Sequence, residues 1–183
     1  MTGLDVLPIA LVVVYVALGF LTGVVRRIIG LVAVYLAFIG ATNMGLQAGG
    51  ILQQSSNLET PDARIYGFFG IVIAVIVIVE GAAQLVGSQI QGGALVFNRA
   101  LGVVIGVTTA IVLSVLVTYE LEAAGNPFGG GTLDTQQLQI RDQVKGSHVA
   151  VPLVSAIGKP VVTIFQLALP ADPQIYFSQN PVS

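Results

Sequence analysis

The sequence predicts an all-α membrane protein in which four transmembrane helices form two hairpins, followed by short amphipathic extracytoplasmic helices. Apolar residues make up 55% of the 183 residues and charged residues only 9%. The mean hydropathy is +0.90. Because a soluble domain carries about 25% charged residues, a chain this poor in charge cannot cover a water-facing surface.

Four apolar runs carry the prediction of four spans. They cover residues 4–25, 28–49, 65–86 and 100–121, and each reaches the roughly 20 residues that a helix needs to cross a bilayer. A polar loop with Pro61 separates the second run from the third, and a turn rich in Gly and Gln separates the third from the fourth. Since backbone groups in lipid must be satisfied within their own segment, all four runs are expected to be helical.

Two adjacent arginines, Arg26 and Arg27, separate the first two runs, and we place the turn of the first hairpin there. A single helix through both runs would overshoot a hydrocarbon core of roughly 30 Å about twofold. Cations in short loops tend to stay in the cytoplasm. Arg26, Arg27 and Arg99 are therefore expected to set the topology, with both termini outside the cytoplasm.

Small residues recur at about every fourth position in three of the runs, which permits close approach of helix backbones. Gly and Ala are also common in membrane helices in general, but the regular spacing favours a packing role, within the chain or between copies. The predicted packing residues are Gly19, Gly23, Ala33, Ala37, Ala41, Gly45, Gly102, Gly106 and Ala110.

Glu80 lies at the end of a long apolar stretch in the third run and leaves two interpretations open. It is either an intramembrane carboxylate that handles a proton or cation, with Gln84 as its hydrogen-bond partner, or part of the polar face of a helix end. Glu80, Gln84, Ser88 and Gln91 are spaced by about one turn, which favours the second interpretation. Asp5 is expected to cap the first helix, and pairing with a partner near the outer surface is the alternative.

Residue types that support catalysis or metal binding are scarce. The chain has no cysteine and a single histidine, and its 7 Lys and Arg against 9 Asp and Glu give no basic field for nucleic acid. No serine-nucleophile motif or phosphate-binding loop occurs. We therefore expect no catalytic residue, no metal, no cofactor and no nucleic-acid partner, and we expect that the protein is not an enzyme.

The chain changes character after the fourth run. We divide it into a four-helix transmembrane bundle at residues 1–124 and a linker with an amphipathic interfacial segment at residues 125–183. Pro152 and Pro160 are expected to break this segment into short helices. The segment is expected to lie on the outer membrane surface or to fold against the bundle, and a docking segment for a partner protein is the alternative.

Three stretches, in this order, resemble the colicin V production protein family of bacterial inner-membrane proteins. They are "GFLTGVVRRIIGL" at residues 19–31, "FNRALGVVIGV" at 97–107 and "GSHVAVPLV" at 146–154. Together with the Leu-Asp pair at the start of the first run, they cover nearly the whole chain. Asn98 departs from the pattern, since the family usually has an acid at this position.

The resemblance implies a location in the bacterial inner membrane and a link to toxin production, toxin export or envelope homeostasis. It favours a non-enzymatic scaffold or envelope factor. A small transporter or channel subunit, for which Glu80 is the main hint, and an accessory subunit of a larger membrane complex are the alternatives. The expected partners are the lipid bilayer and either other membrane proteins or further copies of the chain.

Overall fold

The computed structural model describes residues 2–56, 58–86, 95–128 and 133–178, without the side chains of residues 84–86 and 95. These ranges are helical and contain no strand, so the all-α prediction is confirmed. The helices are α1 (Gly3–Ser55), α2 (Thr60–Val86), α3 (Leu95–Gly125), α4 (Thr135–Lys145), α5 (Ala150–Phe165) and α6 (Pro173–Tyr176).

A break at Gly23 divides α1 into an N-terminal arm, residues 3–22, and a C-terminal arm, residues 24–55. Gly23 has φ 76° and ψ −174°, a backbone region that is open essentially to glycine alone. The sequence placed this turn at Arg26 and Arg27, but the break precedes both arginines. They lie in the first turns of the C-terminal arm because glycine supplies the bend and arginine cannot adopt it without strain.

The two arms of α1 fold back on each other. Leu7 of the N-terminal arm lines a groove with Val72 and Ile73 of α2. A β-carbon on Gly40 of the C-terminal arm would lie 3.6 Å from Ile71, which is also in α2. In one unbroken helix Leu7 and Gly40 would be about 50 Å apart, so the chain must double back between them.

Three helices are long and apolar enough to cross a membrane by length and composition: α1, Thr60–Ala83 of α2 and Val96–Gly125 of α3. Because α1 folds back, each of its arms provides a length of about 20 residues or more, which is enough for one crossing. The chain is therefore an all-α membrane protein. The two arms of α1, with α2 and α3, correspond to the four apolar runs of the sequence.

The arms of α1 provide the main packing surface of the bundle. The N-terminal arm runs antiparallel to α3, with Gly19 against Gly102 and Tyr15 against Gly106. The C-terminal arm runs antiparallel to α2, with Gly49 against Ala63. Helices α2 and α3 pack on these arms rather than extensively on each other, which leaves the apolar groove that includes Leu7 between them.

The small residues named from the sequence lie at these contacts. Gly45 faces the backbone of Phe68 in α2, and Gly23 lies against Gly102 as well as forming the bend. A side chain at Gly19 or Gly106 would meet the backbone of the neighbouring helix. Fully buried alanines complete the set: Ala33, Ala37, Ala41 and Ala110.

Helix α5 continues through both of its prolines, so the expectation that they break the segment is wrong. Pro152 lies in the first turn, where a backbone N–H has no helical partner in any case. Pro160 lies inside the helix, beyond the buried Gly158. The axes of α4 and α5 meet at 86°. The ring of Phe165 lies 5.2 Å from that of Tyr35 in the C-terminal arm, so α5 folds against the bundle.

We predict that Gly23→Ala lowers the free energy of unfolding by about 1–3 kcal/mol, because alanine is strained at this φ and ψ and its β-carbon would meet the side chain of Asn98. Gly70→Ala is the matched control, since a β-carbon there has no atom within 4 Å. Unfolding in mixed micelles with increasing SDS measures both changes. Equal effects of the two substitutions would contradict a special role for Gly23.

Candidate functional site

A charged cluster joins both arms of α1 to α2 near the bend. A nitrogen of the Arg27 guanidinium, Nη2, lies 3.5 Å from Oε2 of Glu80. The Arg27 guanidinium carbon lies 5.6 Å from the centre of the Tyr15 ring. The Arg27 side chain is only 2% exposed and that of Glu80 is 18% exposed. The cluster therefore forms an ion pair largely inside the bundle.

Arg27 is buried, so the prediction that it lies in a solvent-facing turn is wrong. Glu80 on α2 supplies its counter-charge, and Gly30 leaves room for the pair, since a β-carbon there would lie 3.0 Å from Glu80 Oε1. Arg26 is half-buried and Arg99 is exposed, with its guanidinium 5.4 Å from the ring centre of Phe20. The sequence indicated that a charge in an apolar run needs a partner, but it did not show that Arg27 and Glu80 are partners.

Several polar atoms of the cluster have no hydrogen-bond partner among the described residues: Nε and Nη1 of Arg27 and Oε1 of Glu80. A buried polar group without a partner costs about 1–3 kcal/mol, more when it is charged. The cluster can therefore take up further donors or acceptors. The predicted partner of Glu80, Gln84, lies in α2, but its side chain is outside the described part of the structure. No cluster of three or more potential metal ligands occurs in the described ranges.

Asn98 provides a hydrogen-bond acceptor for a backbone N–H group at the bend. Its side-chain oxygen Oδ1 accepts a hydrogen bond of 3.0 Å from the backbone N–H of Val24, the first residue after Gly23. A helix that restarts leaves its first N–H groups without helical partners, and a side-chain oxygen at that point acts as a cap. An amide oxygen accepts this hydrogen bond as a carboxylate oxygen would. Asn98 therefore keeps an acceptor at the position where the family usually has an acid.

Asp5 joins the start of α1 to the junction between α4 and α5. One carboxylate oxygen, Oδ2, accepts the backbone N–H of Thr2 at 2.9 Å, which caps α1 as the sequence predicted. The other, Oδ1, accepts the Ser147 hydroxyl at 2.5 Å and the N–H groups of His148 at 2.9 Å and Val149 at 3.0 Å. Asp5 is fully buried, so its charge is stabilised by these donors.

Comparison of the sequence with known proteins identifies the family of this chain. A family model described as colicin V production protein matches residues 4–157. The chain belongs to the colicin V production protein family. In this family member the bend, the Arg27–Glu80 pair and the contact between Asp5 and Ser147 all lie within the matched residues. No match to the chain is found among curated proteins or among solved structures.

The last described segment of this colicin V production family member lies beyond the match. The Tyr176 hydroxyl donates to the carbonyl of Ala41 at 3.1 Å, and the Arg64 guanidinium donates to the carbonyl of Tyr176 at 3.3 Å. Burial raises the pKa of Tyr176 to about 12. The hydroxyl therefore keeps its proton at physiological pH and remains a donor that ties α6 to the C-terminal arm.

We predict that Arg27→Met and Glu80→Met each lower the free energy of unfolding by about 3–5 kcal/mol, because each leaves a buried charge without its partner. The double variant should lose less than the sum, since it removes both charges. Unfolding in mixed micelles measures this double-mutant cycle. Arg99→Met, which changes an exposed arginine, serves as the control. Additive losses in the cycle would contradict the pairing.

Proposed function

We propose that this protein is a non-enzymatic scaffold or envelope factor of the bacterial inner membrane, which acts by binding other membrane proteins or further copies of itself. The contacts that the charges of Arg27, Glu80 and Asp5 make within the fold carry the proposal. Arg27 pairs with Glu80, and both oxygens of Asp5 accept hydrogen bonds from the chain. Charged groups used in this way hold helices together. Such contacts suit a protein that serves as a rigid support for other membrane proteins.

The family description supports a role connected with toxin production, and the chain's part in it is proposed as a structural one. A scaffold of this kind assists the production or export of a toxin, or the upkeep of the envelope, by holding other components in place. The same geometry fits an accessory subunit of a larger membrane complex. The lipid bilayer is its immediate partner.

A second candidate function, as a small transporter or channel subunit, is favoured by buried polar atoms without partners. These are found on Arg27 and Glu80 near the bend and on both carboxylate oxygens of Glu120, which is fully buried in α3. Ionisable groups inside a membrane protein commonly line the paths of ions or protons. The burial of these groups within one bundle is the specific support for this candidate.

We predict that the protein, purified in mild detergent at native expression level, carries a stoichiometric protein partner or a second copy of itself. Proteoliposomes that contain the protein alone should show proton and potassium fluxes equal to those of empty vesicles. Quantitative mass spectrometry and fluorescent ion indicators measure the two results.

A flux that Glu80→Gln abolishes would contradict the scaffold and favour the transporter. Glu59→Gln is the matched control, because it removes an exposed acid from the loop before α2. A flux that both variants reduce equally would point to a loss of surface charge and not to the interior pair.

We also propose that the bend of α1 faces the cytoplasm. Arg26 and Arg99 support this orientation, since both follow connections that contain no acid. A cysteine introduced at Ser56 should react with an impermeant thiol reagent in intact cells, and a cysteine at Ser88 should not. The chain has no cysteine of its own to interfere. The reverse pattern of labelling would contradict this orientation.

A further inference from the structure

Two adjoining cavities lie at the end of α3 that is remote from the bend. The first, which we call the polar cavity, has a volume of about 700 Å³. This volume is within the range of about 300–1,000 Å³ that is typical of small-molecule sites. Its polar lining comes from α3, α4, α6 and the residue that precedes α6: Tyr119, Glu122, Asn126, Lys145, Asp172 and Gln174.

The second cavity, which we call the apolar cavity, has a volume of about 420 Å³. It shares Tyr119 and Ala171 with the polar cavity, so the two are neighbours. Five of its eight lining residues are apolar, namely Val162, Leu167, Leu169, Pro170 and the shared Ala171, and the other three are Tyr119, Thr163 and Gln166. Leu167 is 88% exposed, as expected of a side chain that contacts lipid at the membrane boundary.

The polar cavity contains both signs of charge without an ion pair between them. Lys145 lies at the C-terminal end of α4, and Glu122 and Asp172 are on the other elements of the lining. All three residues are exposed, so the polar cavity is open to its surroundings. Within the described ranges, the ion pair found is that of Arg27 with Glu80. Asp172 uses one carboxylate oxygen to accept the N–H groups of Gln174 and Ile175. A ligand with one cationic and one anionic group would therefore complement this lining.

The depth of the cavities matches the boundary of the bilayer. They lie near the end of α3, a helix long and apolar enough to cross the membrane. Tyr119 stands between the two cavities, and tyrosine is enriched at membrane interfaces because its ring is apolar and its hydroxyl polar. A lipid at this depth has its headgroup beside the polar cavity and its chains beside the apolar one.

We propose that the two cavities together bind one aminophospholipid. Glu122 and Asp172 bind its ammonium group, Lys145 binds its phosphate, and one acyl chain occupies the apolar cavity. Charge-assisted hydrogen bonds to both headgroup charges make the site selective for a primary ammonium over a quaternary one, which has no N–H to donate. The inference rests on the placement of the chain in a membrane and is independent of the scaffold function.

Binding of short-chain phospholipids to the full-length protein in detergent tests the proposal. Native mass spectrometry should show that dihexanoyl phosphatidylethanolamine binds at least tenfold more tightly than the matching phosphatidylcholine or phosphatidylglycerol. Free glycerophosphoethanolamine, which has the same ammonium group and phosphodiester without acyl chains, should bind at least tenfold more weakly than the lipid. Equal affinity for all three lipids would overturn the headgroup assignment, and equal affinity for the free headgroup would overturn the acyl site.

Variants of the lining locate the site. Lys145→Gln and Glu122→Gln should each weaken binding of phosphatidylethanolamine at least fivefold. Lys159→Gln and Glu59→Gln, which change exposed charges outside both cavities, should leave it unchanged. Circular dichroism confirms that each variant keeps its helical content. Unchanged binding in both lining variants, or equal weakening in the controls, would overturn the proposal.

Discussion

The structure depends on one requirement of a buried backbone, which is that a helix may be interrupted only if its freed N–H and C=O groups find new partners. Gly23 interrupts α1 with a conformation that other residues avoid. The side chain of Asn98 accepts the N–H of Val24 on the far side of the break. The Arg27–Glu80 pair then fixes the new direction of the chain against α2. With this backbone conformation and these two contacts, one helical segment becomes two antiparallel helices of a bundle.

The remaining elements take their positions from those two helices. Helix α3 packs on the N-terminal arm through glycines that allow backbone contact, and α2 packs on the C-terminal arm. Asp5 then fixes the junction of α4 and α5 at the end remote from the bend. Tyr176 fixes α6 to the carbonyl of Ala41. The cavities at this end lie between α3 and the helices that these polar contacts hold in place.

Composition and length were sufficient to predict the helical membrane fold, because the need to satisfy the backbone in lipid leaves few alternatives. The cap at Asp5 was also predictable, since it depends on neighbours in sequence. The burial of Arg27 was not, because its partner Glu80 is 53 residues away along the chain. The position of the bend was missed because many glycines occur in the apolar runs. Only the folded backbone shows that, among the described residues, Gly23 is the glycine with positive φ.

A distance across the bend tests the central claim most directly. The chain has no cysteine, so spin labels can be placed only at Val6→Cys and Leu46→Cys, which replace exposed side chains on the two arms. Double electron–electron resonance in lipid nanodiscs should give a distance below about 35 Å, because the folded-back arms lie side by side. A distance near 60 Å, the length of about 40 residues of unbroken helix, would contradict the account.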